Sequence, residues 1–348
     1  MLKSRKALLA LALLVTASGC GHRGTTLAGD GGQSELRIGY TSPQGGPPSG
    51  PEGWAYKRGL MLPILKQQNI SSIRFIPLPS GPNVNEALAA KAIDIAMCGD
   101  APSITGHAAG IPAKVVAISS VGTNAYLYTA KNGPNRVEDL RGKAVGTRKG
   151  SIVGRYLLGV LAEKGLSRSV KVVQLQDSDA EAALQRGDIA AYAGSNGPIE
   201  ELRGFKIIDQ ARDHPHLQGA GVTLVSEAFL ATHPGFPAAW NTARAAGVRD
   251  LKSHLNEYYQ GLAGHAKLKV ELYEKLYPAR QFAEDPFTPE GIDALNRTKA
   301  FLLGQGLLKR DFNIDGWLLR DGRPPVSEAA VASSHSTTIA AVPENHSK

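Results

Sequence analysis

Four short stretches place hydroxyl, amide and glycine residues where a strand pattern gives way to a helix pattern. They are Thr41-Ser42 with Gln44 just beyond, Ser80-Gly81-Pro82-Asn83, Gly99-Asp100-Ala101-Pro102-Ser103 and Lys149-Gly150-Ser151. The first N–H groups of a helix have no partner inside it, and the aligned peptide dipoles make that end partly positive, so such starts hold anions. Each terminus contributes about 0.3–1 kcal/mol, up to ~2 when partly buried, whereas micromolar binding needs about 8. Several starts must therefore converge, with apolar wall contacts adding the rest. In the last stretch Gly150 lets the backbone approach a ligand closely, the Ser151 hydroxyl is a further donor and Lys149 raises the local potential. Asp100 either caps the helix that follows or receives an amine. Ser, Asn and Asp at these positions are also ordinary N-caps.

Other chemistries lack their spacing. Gly146, Gly150 and Gly154 do not form G-x-G-x-x-G, no G-x-x-x-x-G-K-[ST] occurs, and Ser151 has no G-x-S-x-G elbow. His214-Pro-His216 has no cysteine or acidic helix partner, which reads as a loop rather than a metal site. Cys98, within "AIDIAMCG", reads as a small buried apolar residue. Neither a cofactor nor a metal is expected, and no catalytic residue is assigned.

The elements that must carry these loops alternate. "ELRIGY", "SIRFIPLP", "IDIAMCG" and "AKVVAISS" read as strands with helices between them, including one near Trp54–Gln67. The pattern restarts with "GKAVGT", a helix over Ser151–Lys164, "VKVVQL", a helix over Asp179–Arg186 and "DIAAYAG". After "GVTLVS" the chain is largely helical, with "AAWNTARAAGVRDLKSHLNEYYQGL" as one long segment. This is an α/β pattern in two lobes. "NAYLYTAK" and "AGVTLVSE" read as the strands that cross between them. Residues 36–121 and 221–320 are expected to form lobe I, and residues 122–220 lobe II.

The chain has 348 residues, room for about two domains, and a net charge of +8, three of whose cations precede Cys20. Lys and Arg are spread without basic runs or interleaved aromatics, which argues against nucleic acid and favours small anions. Lys3, Arg5 and Lys6 precede the apolar run Ala7 to Thr16, too short for a permanent span. Residues 1–19 therefore read as an export signal. "ASGC" resembles a bacterial lipobox, and the resemblance implies diacylglycerol on Cys20 and a mature chain starting there. The Gly-rich residues 20–35 read as a tether and the Ser/Ala/Pro-rich residues 321–348 as a disordered tail.

"EALAAKAIDIAMCGDAPSITGHAAGIPAKVVA" resembles the solute-binding proteins of sulfonate, taurine and nitrate importers. So do "RVEDLRGKAVGTRKGSIVGRYLLGVLAEKGL", "DSDAEAALQRGDIAAYAG" and the closing "QGLLKRDFNIDGWLL", the last closest to the aliphatic-sulfonate branch. The likeness runs from about Leu36 to Leu319. It implies a type II periplasmic-binding-protein fold: two lobes, each a mixed sheet flanked by helices, with the ligand in the cleft. It further implies an exported monomer that captures a small organic anion, an alkanesulfonate or taurine-like compound, for a membrane permease and its ATPase. One departure stands out. Many sulfonate-type members carry an aromatic-acidic-proline stretch where this chain reads "SNGPIEEL", so Ser195 and Asn196 are expected at the pocket edge in place of bulk. The loop Pro43–Gly53 also reads as expanded. Nitrate or an aromatic or nitrogenous compound is the alternative ligand. A pyrimidine-precursor enzyme of similar fold is the alternative class and would need a catalytic histidine in the cleft. A sensory module would be expected to carry a signalling domain or a membrane span.

Overall fold

The computed structural model describes residues 34–42 and 45–320. Cys20, Gln44, the signal and the C-terminal tail lie outside the described residues. Among the described residues ten strands form two five-stranded sheets. They are β1 Ser34–Thr41, β2 Ile70–Leu78, β3 Ile95–Gly99, β4 Ala113–Thr123, β5 Tyr126–Thr129, β6 Ala144–Thr147, β7 Lys171–Gln174, β8 Ala191–Gly194, β9 Lys206–Gln210 and β10 Gly219–Ser226. The spatial orders are β2-β1-β3-β10-β4 and β7-β6-β8-β5-β9.

The two orders are the same arrangement twice. In each sheet three strands run parallel, a fourth position is held by one antiparallel strand, and a last strand lies outside it. The antiparallel strand is the one that has just crossed from the other sheet. β5 follows β4 through Asn124 and Ala125, and β10 returns after β9. Parallel strands are buried on both faces, and this explains the continuous apolar run of β3. Leu36, Ile38, Ile95 and Val116 pack with Phe236 and Trp240 beneath the first sheet, while Val84, Ile104, Val222 and Trp317 fill its other face. Val145, Tyr156, Leu157 and Val160 form the corresponding layer of the second sheet. Each such side chain contributes about 1.5–3 kcal/mol.

Three boundaries differ from the sequence reading. The helix expected over Trp54–Gln67 starts earlier, at Gly50, and stops at Lys57, because Gly59 turns the chain at φ +71°; a short helix, Met61–Leu65, follows. The long segment after Ala238 is two helices, Phe236–Ser253 and Leu255–Ala266, broken at His254. β9 is an additional strand at the sheet edge, half-buried along its length.

His107 closes the Asp100–Ala108 helix, stacked on Trp317 at 4.6 Å and edge-on to Phe312. Burial, with Lys114 and Arg310 adding to it, lowers its pKa to about 4. An unfolded histidine binds a proton near pH 6.5, so between about 6.5 and 4 the unfolded chain takes up more protons than the folded one. This contribution to stability is full above about pH 6.5, is lost as pH falls toward 4, and then levels off. His107→Phe keeps an aromatic ring and should flatten that part of the stability profile. Thermal melts of both proteins between pH 7 and 4 check this, and parallel profiles would refute it.

Candidate functional site: a cleft at the strand ends

The carboxyl ends of parallel strands in both sheets meet at one cleft of about 240 Å³. Loops gather at such ends in α/β sheets because each strand hands over to its helix there. Four helix starts border the cleft: Ser49 to Glu52, Gly81, Gly99 with Pro102, and Ser151 to Val153. Ser119, Ser120, Thr123 and Asn124 line its back, at the crossing from β4 to β5. Tyr40, Met97, Ile152, Tyr277 and Phe282 provide apolar wall.

The residues expected from sequence divide into two groups. Thr41, Gly81, Gly99, Ser151 and Ser195 line the cleft. The Thr41 hydroxyl is buried there without a hydrogen-bond partner. Ser195 Oγ accepts from Arg148 at 3.4 Å. Ser151 Oγ is fully engaged at home: it donates to the Arg148 carbonyl at 2.6 Å and accepts from Gly154 N–H at 3.3 Å as the N-cap of Ile152–Glu163.

The others have different neighbours. The Ser42 hydroxyl donates to the Gly46 carbonyl. Ser80 and Asn83 bond to each other at the start of Gly81–Ala89. Gly150 is exposed and has φ +73°, the left-handed turn that reverses the chain into its helix. Asn196 is the N-cap of Gly197–Leu202, and Ala101 is buried in the first core. Asp100 lies below the cleft floor, wholly buried. Its carboxylate accepts from the N–H groups of Ala101 and Ala220 and from the Thr298 hydroxyl, and Arg155 Nη2 stands 3.9 Å away. Arg155, from the second sheet's helix, also donates to the carbonyls of Leu217 and Gln218 on the returning crossover. Asp100 thereby joins the end of β3 to β10 and to the last long helix.

Two charged cleft residues were not anticipated. Arg148 follows β6 directly and is 4% exposed. Its Nε lies 3.2 Å from Asp177 Oδ1, and Asp177 also accepts from Tyr192 OH at 2.6 Å. Arg148 is therefore a clamped cation, with Nε lacking a hydrogen bond. Lys149, the neighbour singled out from sequence, is exposed. The position after a strand was the available signal; which of two adjacent cations turns inward was not. Glu52, 1% exposed, is the second, and its charge partner is Arg244, with Nε to Oε1 at 3.3 Å.

Cys98 also lines the cleft. Burial pushes its thiol up to about 12, and Ser103 Oγ is 3.3 Å away, so it stays protonated at neutral pH. Among the described residues lining the cleft there is no histidine. No group of three or more His, Cys, Asp or Glu side chains among the described residues could hold a metal, and none of their helices is long and apolar enough to cross a membrane.

This arrangement has known counterparts. A Bacillus subtilis (strain 168) protein named for the binding of aliphatic sulfonates is 30% identical over 261 residues, covering 73% of this chain and 76% of its own length. The alkanesulfonate-binding protein SsuA of Xanthomonas axonopodis pv. citri, solved with MOPS bound, superposes with a TM-score of 0.66 at 22% identity, covering 82% of this chain and 98% of that one. DszB, a desulfurization enzyme solved with biphenyl-2-sulfinic acid, superposes with a TM-score of 0.63 at 16% identity, covering 83% and 97%. These likenesses establish the periplasmic-binding-protein fold. The model of the family described as NMT1/THI5 like matches residues 67–252, more than half of the chain. Together with the Bacillus relative this places the chain: it belongs to the NMT1/THI5-like family.

Proposed function

We propose that this chain is the extracytoplasmic substrate-binding component of an ABC importer, and that it captures a small organosulfonate without converting it. One observation carries the reading. Arg148, buried and clamped by Asp177 and Ser195, faces an apolar cleft bordered by four helix starts. A guanidinium presents a planar fork of donors that suits a multi-oxygen anion. Helix N–H groups complete its oxygen shell without a second full charge, which leaves the ligand free to dissociate. The names of the Bacillus and Xanthomonas proteins support the sulfonate class.

The fold alone does not decide between binding and catalysis, since DszB shares it. The cleft favours binding. Its one thiol is held protonated, and none of its described side chains pairs a nucleophile with an imidazole. In this reading residues 36–121 with 221–320, and residues 122–220, are the two lobes that close on the ligand. Calorimetric titration with hexanesulfonate, taurine, benzenesulfonate and sodium nitrate tests the class. Micromolar binding of a sulfonate with unchanged ligand recovered supports it. Selective binding of nitrate, or turnover of the sulfonate, would overturn it.

We further propose that Cys20 carries diacylglycerol and anchors a monomeric protein to the outer face of a membrane. The basis is "ASGC" behind a short apolar run. Cys20→Ser should release the protein from the membrane fraction. A wild-type chain that is soluble, or whose mature N-terminus is not Cys20, would refute the anchor.

A further inference from the structure

Two glycines of the first sheet face a single side chain from the second sheet's helix Ile152–Glu163. Gly99 ends β3 and Gly219 begins β10. A Cβ on Gly99 would lie 2.5 Å from Ile152 Cδ1 and closer still to its Cγ1, and a Cβ on Gly219 would lie 2.5 Å from Ile152 Cγ2. Packed side chains do not approach so closely, so Ile152 fits only because both positions are bare. Neither glycine is required by its backbone. Gly99 has φ −80° and ψ 165°, and Gly219, paired with Thr123, has no positive φ. Other residues adopt such conformations freely. What the two positions supply is space, and Ile152 fills it.

Ile152 carries part of the site with it. It is the first residue of its helix and stands four positions after Arg148. Between them the Ser151 hydroxyl donates to the Arg148 carbonyl at 2.6 Å, which ties the loop to the helix start. The same loop meets the first sheet's side again at Gly150, where a Cβ would lie 3.4 Å from Pro82 Cγ in the Gly81–Ala89 helix. Residues three apart share a helix face, and three positions beyond Ile152 comes Arg155. Its Nη2 stands 3.9 Å from Asp100, the residue after Gly99, and Ala220, the residue after Gly219, donates to that same carboxylate. The helix thus rests on two neighbouring dipeptides, Gly99-Asp100 and Gly219-Ala220. The two seats differ in precision. Coulombic attraction falls slowly with distance, so Arg155 is held over a range of positions. Ile152 is β-branched and stiff at χ1, and between two backbones it fits in one place.

We propose that Ile152 is a positioning residue: its seat between Gly99 and Gly219 sets the register in which the two lobes close, and so places Arg148 against the helix starts of the first sheet. This rests on the closing lobes and the sulfonate ligand of the reading above. The seat belongs to the closed state. A methyl group in the slot leaves each sheet intact but keeps the lobes from meeting in register. It lowers the fraction of binding-competent protein, and the apparent affinity falls by that fraction.

The test is a double-mutant cycle on Gly219→Ala and Ile152→Ala. Gly219 is not among the described residues lining the cleft, so its new methyl does not touch the ligand. Wild type and the three variants are titrated by calorimetry with hexanesulfonate, taurine and benzenesulfonate, and melted without ligand. With the tightest of the three compounds, Gly219→Ala should weaken binding by roughly fivefold to a hundredfold, the range spanned by a methyl forced into filled space. Its ligand-free melting temperature should stay within about 2 °C of wild type. In the Ile152→Ala protein the same methyl finds room, and adding it should change affinity by less than about threefold. Gly99→Ala, taken through the same cycle, serves if Gly219→Ala does not fold. An equal loss in both backgrounds overturns the proposal, because Ile152 is then not what the methyl strikes. Unchanged affinity in Gly219→Ala also overturns it. So does a loss of affinity matched by a fall in the ligand-free melting temperature, which would make the slot part of the resting fold rather than of closure. If the wild type binds none of the three sulfonates at millimolar concentration, the sulfonate reading falls, and this proposal with it; a wild type that binds, with an additive cycle, sinks this proposal alone.

Discussion

Replacing Arg148 by glutamine should weaken sulfonate binding by roughly tenfold to more than a hundredfold. The side chain is 4% exposed, and its partners Asp177 and Ser195 hold it at the cleft. Hydrogen bonds to charged groups contribute about 1.5–3 kcal/mol, and each 1.4 kcal/mol is about tenfold in affinity. Glutamine also leaves Asp177 without its cation, so a bare carboxylate stands beside an incoming anion. Arg148→Lys should fall between, since it keeps the charge and loses the fork. Lys149→Gln is the control: Lys149 is exposed, its charge is screened at physiological salt, and affinity should change by less than about twofold. Titration of the three variants with the best sulfonate decides. An Arg148→Gln protein that binds within threefold of wild type would remove Arg148 from the site.

The largest stability effect should come from Arg244. Arg244→Met leaves the Glu52 carboxylate buried without a cation and takes the donors from three backbone carbonyls. Breaking a buried pair by deleting one partner costs about 3–5 kcal/mol, because the surviving charge is uncompensated. At about 2–4 °C per kcal/mol for a protein of this general size, the melting temperature should fall by roughly 6–20 °C. Adding Glu52→Gln to Arg244→Met removes the stranded charge and should recover part of the loss. The single variant should also depend on pH in a definite direction. Its Glu52 pKa is raised further in the fold than in the unfolded chain, so the folded state binds the extra proton. The deficit should therefore shrink as pH is lowered from 7 toward 5. Melts at both pH values, on the single and double variants, check all three statements. A double variant no more stable than the single one would mean that the carbonyl contacts, not the ion pair, matter.

The sequence exposed the frame of this site better than its charges. Strand ends are legible because an apolar run followed by Ser, Gly or Pro is a local signal, and Thr41, Gly81, Gly99 and Ser151 were found that way, whereas Ser195 came from the departure from the family pattern. Whether a side chain at such a place faces the cleft depends on the turn of the following residues. Ser80 and Asn83 close on each other, and Asp100 turns down to Ala220 and Thr298, contacts made by residues far along the chain. Arg148 was passed over for Lys149 for the same reason. Glu52 lay in a stretch rich in Pro and Gly that reads as loop, yet the helix starts at Gly50 and places Glu52 in its first turn. β9 escaped because it is short, polar at both ends and half-buried at an edge, where no alternation is needed. The break at His254 has no Pro or Gly to mark it.

The repeated strand order has a consequence for how the chain comes together in time. Every strand of the second sheet comes from one continuous stretch, Tyr126 to Gln210, so that sheet can complete itself as soon as the stretch exists. The first sheet cannot. Its fourth position belongs to β10, where Gly221 pairs with Gly99 and Thr223 with Ala117. Until that strand arrives, β3 and β4 each present an unpaired edge, and the gap between them is a template for any extended segment nearby. Such long-range closure is intrinsically slow, and species with open edges aggregate. The half of the protein that is made first is thus the half that finishes last, and whatever protects the young chain must shelter one particular slot, the space between Gly99 and Ser120.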